Sequence, residues 1–138
     1  LYALCKMGHK EILLCNRTME KALQVKEDFS EECEIIVESF EDLKDVLKDV
    51  KTFINATSIG MFGELFDLNV DDLSHLSLVY DVVYNYTPLQ EMANEVGITC
   101  VDGKALWYHQ AVENLKIWDV YEEKIFKECF EQIVDAES

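Results

Sequence analysis

Short apolar runs alternate along the chain with segments in which apolar residues recur at helical spacing. The apolar runs predict five strands, at 11–15, 34–37, 52–56, 78–83 and 98–101. The periodic segments predict helices at 1–6, 18–29, 40–50 and 88–96, with two more helices within 103–135. Because strands that alternate with helices of this length form βαβ units, the pattern predicts one α/β domain built on a parallel sheet.

The expected architecture is a doubly wound, Rossmann-type parallel sheet that lacks its first strand and glycine-rich turn. Such a fold begins with a strand and a glycine-rich turn that opens the first helix. This sequence instead begins inside a predicted helix that ends near Gly8. In the strand order 3-2-1-4-5-6 the first strand is central, so without it we expect two sheet pieces with unpaired edges.

The charge balance restricts the class of partner. Lys and Arg number 12 against 28 Asp and Glu, which gives a net charge of −16. A surface this negative repels phosphate backbones and anionic membranes, and no stretch approaches the roughly 18 apolar residues of a membrane span. We therefore expect neither nucleic acid nor membrane as a partner, whereas a local basic patch is still compatible with a small phosphorylated cofactor.

The cysteines are scattered, and no Cys-x-x-Cys spacing occurs. Five such residues in a long, apolar-rich chain indicate the reducing cytoplasm rather than a disulfide framework. Neither the cysteines nor the three histidines show the spacing of metal ligands, so no metal site is expected.

The first candidate site is the run NRTMEKA, which begins at Asn16 after the first predicted strand. In dinucleotide-binding folds this strand tip meets the adenosine ribose, where an acidic residue favours NAD. Arg17 and Lys21 offer positive charge there and Thr18 offers a hydroxyl, which suits the 2′-phosphate of NADP. The alternative is an ordinary helix N-terminus, capped by Asn16 or Thr18, with Glu20 near the positive end of the helix dipole.

Three further motifs follow later strands, where open α/β sheets bind their ligands. NATSIGM, beginning at Asn55, places small hydroxylated residues before a glycine, so that its backbone can approach a ribose closely. The segment YDVVYNYTPL contains Tyr84, and a G-x6-Q spacing joins Gly103 to Gln110 at a helix entry. Tyrosine and glutamine offer hydrogen bonds to a hydroxyl-rich ligand. Taken singly, each motif also has a structural explanation: a strand-to-loop turn, a core-edge aromatic or a helix start.

The order and spacing of these motifs resemble the C-terminal, NADP-binding domain of the shikimate dehydrogenases. The resemblance runs from Leu1 to about Trp118, and NATxxGM combined with the YDVVY segment is its most specific part. NRTxEKA is less specific, because glutamyl-tRNA reductases carry a similar run. The resemblance implies reversible hydride transfer between NADPH and 3-dehydroshikimate, which yields shikimate for chorismate and aromatic amino-acid biosynthesis.

The resemblance assigns roles to individual positions. Residues of the 2′-phosphate loop, of the ribose segment and beside the nicotinamide are implied to bind the cofactor: Asn16, Arg17, Thr18, Lys21, Asn55, Thr57, Ser58, Gly103 and Leu106. Tyr84 and Gln110 are implied to contact shikimate. The sequence departs from the family in a shortened loop at 85–87 and in Leu106-Trp107, which replaces a Met-Leu pair.

No catalytic residue is assigned to this chain. In the family, the acid–base pair is a lysine and an aspartate of an N-terminal catalytic domain, which is expected upstream of Leu1. Lys104 and Asp81 are expected at the ends of elements, solvated or capping. The resemblance thus predicts a partial dinucleotide-binding domain at 1–102, followed at 103–138 by helices that pack toward the absent catalytic domain. The chain alone is expected to be inactive.

Other classes of protein stay open at this stage. The same fold serves non-catalytic nucleotide-binding domains, because a cofactor site does not guarantee turnover. A glutamyl-tRNA reductase needs a long helical dimerisation segment and a surface for tRNA, which the short helices after Gly103 and the charge of −16 disfavour. The sequence does not separate a strict shikimate enzyme from a quinate/shikimate relative, and in either case Arg17 and Lys21 favour NADP over NAD.

Overall fold

The computed structural model describes residues 1–136 of the 138-residue chain. Its strands are β1 (Glu11–Asn16), β2 (Glu34–Ser39), β3 (Thr52–Asn55), β4 (Leu78–Asp81) and β5 (Thr99–Val101). Its helices are α1 (Tyr2–Lys6), α2 (Met19–Asp28), α3 (Leu43–Leu47), α4 (Val70–Leu73), α5 (Pro88–Glu95), α6 (Lys104–Ile117) and α7 (Glu123–Ala136). Two compact units result, one formed by residues 1–50 and the other beginning at Lys51.

The first unit is a two-stranded parallel sheet with α2 packed on both of its strands. The helix makes the crossover that a parallel pair requires. Ala22 of α2 and Ile35 of β2 are fully or almost fully buried between helix and sheet. The pairing ends with Asn16 opposite Ser39. The loops that follow β1 and β2 therefore leave the sheet side by side.

The second unit is a three-stranded parallel sheet of order β3-β4-β5. Val79 of the central strand β4 is completely buried, as expected for a strand covered on both faces. Helix α5 packs on β4 and β5 and buries Leu89 and Ala93. It begins at Pro88, where the missing N–H costs no helical hydrogen bond.

An aromatic cluster joins the two C-terminal helices. The rings of Trp107 and Tyr108 in α6 each lie 5.0 Å from the ring of Phe130 in α7, measured between centroids. Phe126, one turn earlier in α7, lies 5.2 Å from Tyr108. Because aromatic pairs contribute about 0.5–1.5 kcal/mol each beyond the area they bury, this cluster stabilises the contact between α6 and α7.

The predicted fold class is confirmed. All five strands are present and parallel, helices alternate with them, and the described residues form two separate sheets. β3 and β4 end earlier than predicted, at Asn55 and Asp81, because both side chains accept hydrogen bonds from the loops that follow.

Two helical details differ from the prediction. The helix predicted at 40–50 is a 3₁₀ turn, Phe40–Asp42, followed by the short α3. The side chain of Ser39 accepts a hydrogen bond from the N–H of Glu41, which fixes that turn. Helix α4 was not predicted, and it is held by a reciprocal capping box between Asn69 and Asp72.

The division of the chain predicted between 102 and 103 stays a prediction, and residues 137 and 138 of its second part lie outside the described residues. Within the part of the chain that the structure covers, no helix is both long enough and apolar enough to cross a membrane.

Candidate functional site

The candidate 2′-phosphate loop lies at the carboxyl end of β1 and leads into α2. Asn16 is the last residue of β1, and its Oδ1 accepts a hydrogen bond of 2.9 Å from the N–H of Thr18. Thr18 is the N-cap residue of α2, yet its side chain makes no capping hydrogen bond. The asparagine therefore shapes the turn, and the threonine hydroxyl is not used by the helix.

Two basic side chains stand on this loop. Arg17 and Lys21 are both exposed, and the guanidinium carbon of Arg17 lies 5.9 Å from the ring centroid of Phe40, just after β2. A cation–π contact of this kind positions the guanidinium and leaves its N–H donors free to bind an anion. Lys21 lies in the first turn of α2, where the helix N-terminus also favours negative charge. The loop thus combines two cations with a helix N-terminus.

The positive charge is local to this loop. Cys15, immediately before Asn16, is half-buried, and burial is the main cause that raises its pKa. Glu38 of β2 and Asp42 of the 3₁₀ turn that follows it raise the same pKa further. The carboxylates of Glu38 and Asp42 therefore lie near the base of this loop. An anion could be held only by its exposed residues, such as Arg17.

In the second unit, a buried polar network joins the carboxyl ends of β3 and β4. Asp81 is the last residue of β4 and is completely buried. Its Oδ1 accepts hydrogen bonds from Asn55 Nδ2 at 2.9 Å and from the N–H of Val83 at 3.1 Å. Its Oδ2 accepts from the Thr87 hydroxyl at 2.6 Å and from Gln90 Nε2 at 3.3 Å. Four donors satisfy the carboxyl group, as burial of a polar group requires.

Asn55 extends this network into the loop after β3. Its Oδ1 accepts hydrogen bonds from the N–H of Thr57 at 3.0 Å and from the Thr57 hydroxyl at 2.7 Å. The same hydroxyl oxygen accepts a 3.0 Å bond from the N–H of Ile59. Asn55 and Thr57 are thus engaged in holding the loop, whereas Ser58 is exposed at its tip.

Two glycines allow these loops to approach each other. A Cβ atom on Gly103 would lie 2.0 Å from the carbonyl oxygen of Val82, and the N–H of Gly103 donates to the carbonyl of Val83 at 3.1 Å. Gly60 has a φ of +98°, and a Cβ there would lie 3.0 Å from the Cβ of Thr87. Any ligand at Gly103 therefore meets backbone rather than a side chain.

Tyr84, Leu106 and Gln110 lie on or beside α6. The ring of Tyr84 stacks on Trp107, with centroids 5.3 Å apart and planes inclined by 29°. Trp107 packs inward through this contact, and the preceding Leu106 is 44% exposed. Gln110 is exposed one turn after Leu106, so both side chains lie on the same face of the helix. Leu106 and Gln110 remain accessible to a ligand, whereas Tyr84 is half-buried.

Sequence reasoning missed most of the network around Asp81. Asp81 was expected to be solvated or capping at the end of its strand: it does end the strand and is completely buried rather than solvated, and its carboxylate accepts hydrogen bonds from the N–H of Val83 and the hydroxyl of Thr87. The signal available was an aspartate closing an apolar strand shortly before a Thr-Pro helix start. Lys104 does lie at an element end: it begins α6, and its N–H donates to Asp102 Oδ1 at 3.0 Å.

Within residues 1–136, no three His, Cys, Asp or Glu side chains gather where they could hold a metal ion.

Comparisons with known proteins identify relatives of this chain. A family model described as Shikimate / quinate 5-dehydrogenase matches residues 1–62. The chain is 42% identical over 135 residues to the shikimate dehydrogenase (NADP(+)) of Thermotoga maritima, a match that covers 97% of this chain and 51% of that protein. It is 34% identical to the enzyme of the same name from Dinoroseobacter shibae, over 86% of this chain and 43% of that protein. The chain thus spans about half the length of the curated relatives it matches, and the matched part is their C-terminal half.

Solved structures agree with the sequence matches. The crystal structure of shikimate dehydrogenase from Thermotoga maritima superimposes with a TM-score of 0.84 at 41% identity, over 96% of this chain and 51% of that one. Shikimate 5-dehydrogenase from Listeria monocytogenes, in complex with shikimate and NAD, gives a TM-score of 0.74 at 28% identity, over 92% of this chain and 50% of that one. By sequence and by fold, nearly the whole of this chain is similar to one half of the shikimate dehydrogenases.

Proposed function

We propose that this chain is the NADP-binding portion of an oxidoreductase that interconverts 3-dehydroshikimate and shikimate. The observation that carries the proposal is the exposed basic loop at 16–21, at the N-terminus of α2, in a chain of net charge −16. A strongly negative protein binds an anionic cofactor only where positive charge is concentrated locally, and this loop is such a place. The curated relatives are named for the same cofactor and the same substrate.

At the adenosine end of the cofactor, Arg17 and Lys21 bind the 2′-phosphate through their charges, and the Thr18 hydroxyl donates a hydrogen bond to it. The ring of Phe40 positions the Arg17 guanidinium through the cation–π contact of 5.9 Å. Asn16 acts by fixing the turn rather than by direct contact, since its Oδ1 is already bonded to the N–H of Thr18.

At the nicotinamide ribose, Ser58 and the backbone beside it make the contacts in this proposal. Asn55 and Thr57 act indirectly, because their side chains bond to each other and to the loop. Gly103 allows the start of α6 to approach the nicotinamide, and the exposed side chain of Leu106 packs on the ring.

In this proposal Tyr84 and Gln110 bind the substrate. Their hydroxyl and amide groups can form hydrogen bonds with a polyhydroxylated carboxylate. When bound, NADPH supplies the hydride for the carbonyl carbon, and a proton reaches the carbonyl oxygen. We propose no acid–base catalyst in this chain. The proton is moved by groups of the whole enzyme that lie outside it.

We further propose that α6 and α7 pack against that catalytic part. These helices and the turn between them leave large apolar side chains exposed, and burial of such side chains stabilises an interface: Leu106, Ile117, Trp118, Val120, Ile125 and Ile133. We place the protein in the cytoplasm, a reducing compartment that suits a chain whose five cysteines are free.

The test is a dehydrogenase assay on the full-length protein, with shikimate or quinate as substrate and NADP or NAD as acceptor. We expect shikimate with NADP to give the highest kcat/KM. Turnover of quinate alone would replace the substrate in the proposal. Measurable NADPH binding without turnover of any pair would identify a non-catalytic nucleotide-binding protein instead.

A further inference from the structure

The first unit contains a pair of thiols that the proposed function does not use. Cys5 lies in α1, and Cys33 lies 28 positions later, immediately before β2. Their Sγ atoms are 2.7 Å apart. Since a disulfide bond is about 2.05 Å long, the two sulfur atoms need to approach by only about 0.7 Å to form one.

The two thiols differ in access. Cys33 is buried, whereas Cys5 is half-exposed on a short helix without buried residues. The hydrogen bond to Cys5, with burial as the second cause, raises the pKa of Cys33. Cys33 therefore keeps its proton to higher pH, and a reagent from solution reaches Cys5 first.

We propose that Cys5 and Cys33 form a redox modification site that reacts with low-molecular-weight disulfides of the glutathione class. The Cys5 thiolate attacks one sulfur of the small disulfide, forming a mixed disulfide and releasing one small thiol. The Cys33 thiolate then attacks Cys5 Sγ, forming the Cys5–Cys33 disulfide and releasing the second small thiol. The protein dithiol is oxidised, the small disulfide is reduced to two thiols, and these take up the two protons lost by the protein.

The other cysteines lack this arrangement. Cys15 and Cys100 are half-buried, and burial is the largest cause that raises the pKa of each thiol. Cys129 is exposed on α7, in the other compact unit. Intracellular disulfides are usually transient and redox-sensing, so a pair of thiols held in contact fits a reversible modification rather than a permanent cross-link.

The test treats the full-length protein with oxidised glutathione, blocks the remaining thiols by alkylation and maps the peptides by mass spectrometry. We expect a Cys5–Cys33 cross-linked peptide that dithiothreitol removes, while Cys15 and Cys100 stay alkylatable. In Cys33→Ala the second step is blocked, so glutathione should accumulate on Cys5 at least ten-fold over the wild type. Cys129→Ser is the control, and it should form the same cross-linked peptide at the wild-type rate.

Wild-type protein in which Cys5 and Cys33 both stay alkylatable would overturn the proposal. So would stable glutathione on Cys5 without the cross-linked peptide, because the second thiol would then not reach the first. If Cys33→Ala does not fold, Cys5→Ser tests whether Cys5 reacts first: this variant should form no cross-linked peptide, and its Cys33 should stay unmodified. Because only the thiols are monitored, the outcome is independent of whether the protein binds NADP.

Discussion

Two threonines are N-cap residues of helices that follow strands in this molecule, and their surroundings are opposite. Thr18 precedes α2 in the first unit, is exposed, and makes no capping hydrogen bond. Thr87 precedes α5 in the second unit and is almost completely buried. Its oxygen accepts a bond from the N–H of Gln90 at 3.2 Å, and its hydroxyl donates to Asp81 at 2.6 Å. The same residue type at the same helical position is thus solvent-facing in one loop and structural in the other.

This difference extends to the whole of each loop. Around Thr18 the cations are exposed, so substitution there should change what binds and leave the fold intact. Around Thr87 the polar groups are buried and form hydrogen bonds with one another, so substitution there should lower the free energy of unfolding. The exposed charged loop and the buried hydrogen-bonded loop therefore place different demands on the sequence.

The strongest test of the comparison is removal of the buried carboxylate. Asp81→Ala removes the acceptor of the Thr87 hydroxyl, of the Val83 N–H and of one N–H of the Asn55 amide, and we expect a loss of about 4 kcal/mol in the free energy of unfolding. Chemical denaturation monitored by circular dichroism measures this loss. Asp71→Ala, at an exposed position of α4, is the control and should stay within about 0.5 kcal/mol. Equal effects of the two substitutions would show that the network contributes no special stability.

Gly103→Ala is expected to be the next most damaging change. The new methyl group would meet the carbonyl oxygen of Val82 at 2.0 Å, so the backbone must shift, at a cost of about 3 kcal/mol. Gly63→Ala is the matched control, since a Cβ there meets open space and only the φ of +84° causes strain, worth about 1 kcal/mol. Thermal unfolding of both variants should separate them clearly, and a smaller loss for Gly103→Ala would contradict the close approach at α6.

The exposed loop should respond in binding rather than in stability. Arg17→Asp places a negative charge beside the proposed 2′-phosphate, and we expect NADPH to bind about 100-fold more weakly, equivalent to roughly 2.7 kcal/mol. NADH lacks that phosphate and should lose much less. Fluorescence titration of the full-length protein measures both affinities, with Lys26→Asp, in the last turn of α2, as the control for charge. Equal losses for the two cofactors would remove Arg17 from the phosphate site.

The two threonines themselves give the smallest and most direct contrast. Thr87→Ala removes a helix cap and a donor to Asp81, so it should lower the free energy of unfolding by about 2 kcal/mol. Thr18→Ala should change it by less than about 0.5 kcal/mol, while NADPH binding weakens about five-fold through loss of one hydrogen bond. Urea denaturation and cofactor titration on the same pair of variants check both halves. Similar stability losses would erase the distinction between the loops.

Much of the fold could be predicted from the sequence because its signals are local. The run Ile35-Ile36-Val37 is apolar and β-branched, and Pro88 and Gly97 mark where one helix begins and ends. The described residues form two separate sheets, as expected from the strand order of a doubly wound fold. Helix α4 was not predicted, because it has only four residues, which are too few to show a helical periodicity that distinguishes them from a loop.

The hydrogen bonds within the candidate site could not be predicted from the sequence in the same way. That Asn55 and Asp81 share a hydrogen bond depends on the pairing of β3 with β4, which brings together residues 26 positions apart. Gly103 drew attention through its spacing, but the reason for glycine there, the carbonyl of Val82, lies on another element. The exposed roles proposed for Arg17, Lys21, Gln110 and Leu106 remain predictions, because contact with a ligand is what defines them.

The burial of Asp81 has a consequence for the thermodynamics of binding. A loop whose side chains are already immobilised loses little conformational entropy when a ligand arrives, whereas ordering each free, flexible side chain costs about 0.5–1.5 kcal/mol. The surface around Ser58 and Gly103 is therefore preorganised, whereas the contacts proposed for the exposed Arg17 and Lys21 carry the entropic cost of ordering. Calorimetry should accordingly find a larger unfavourable entropy for the binding of NADPH than for the binding of NADH, which lacks the 2′-phosphate.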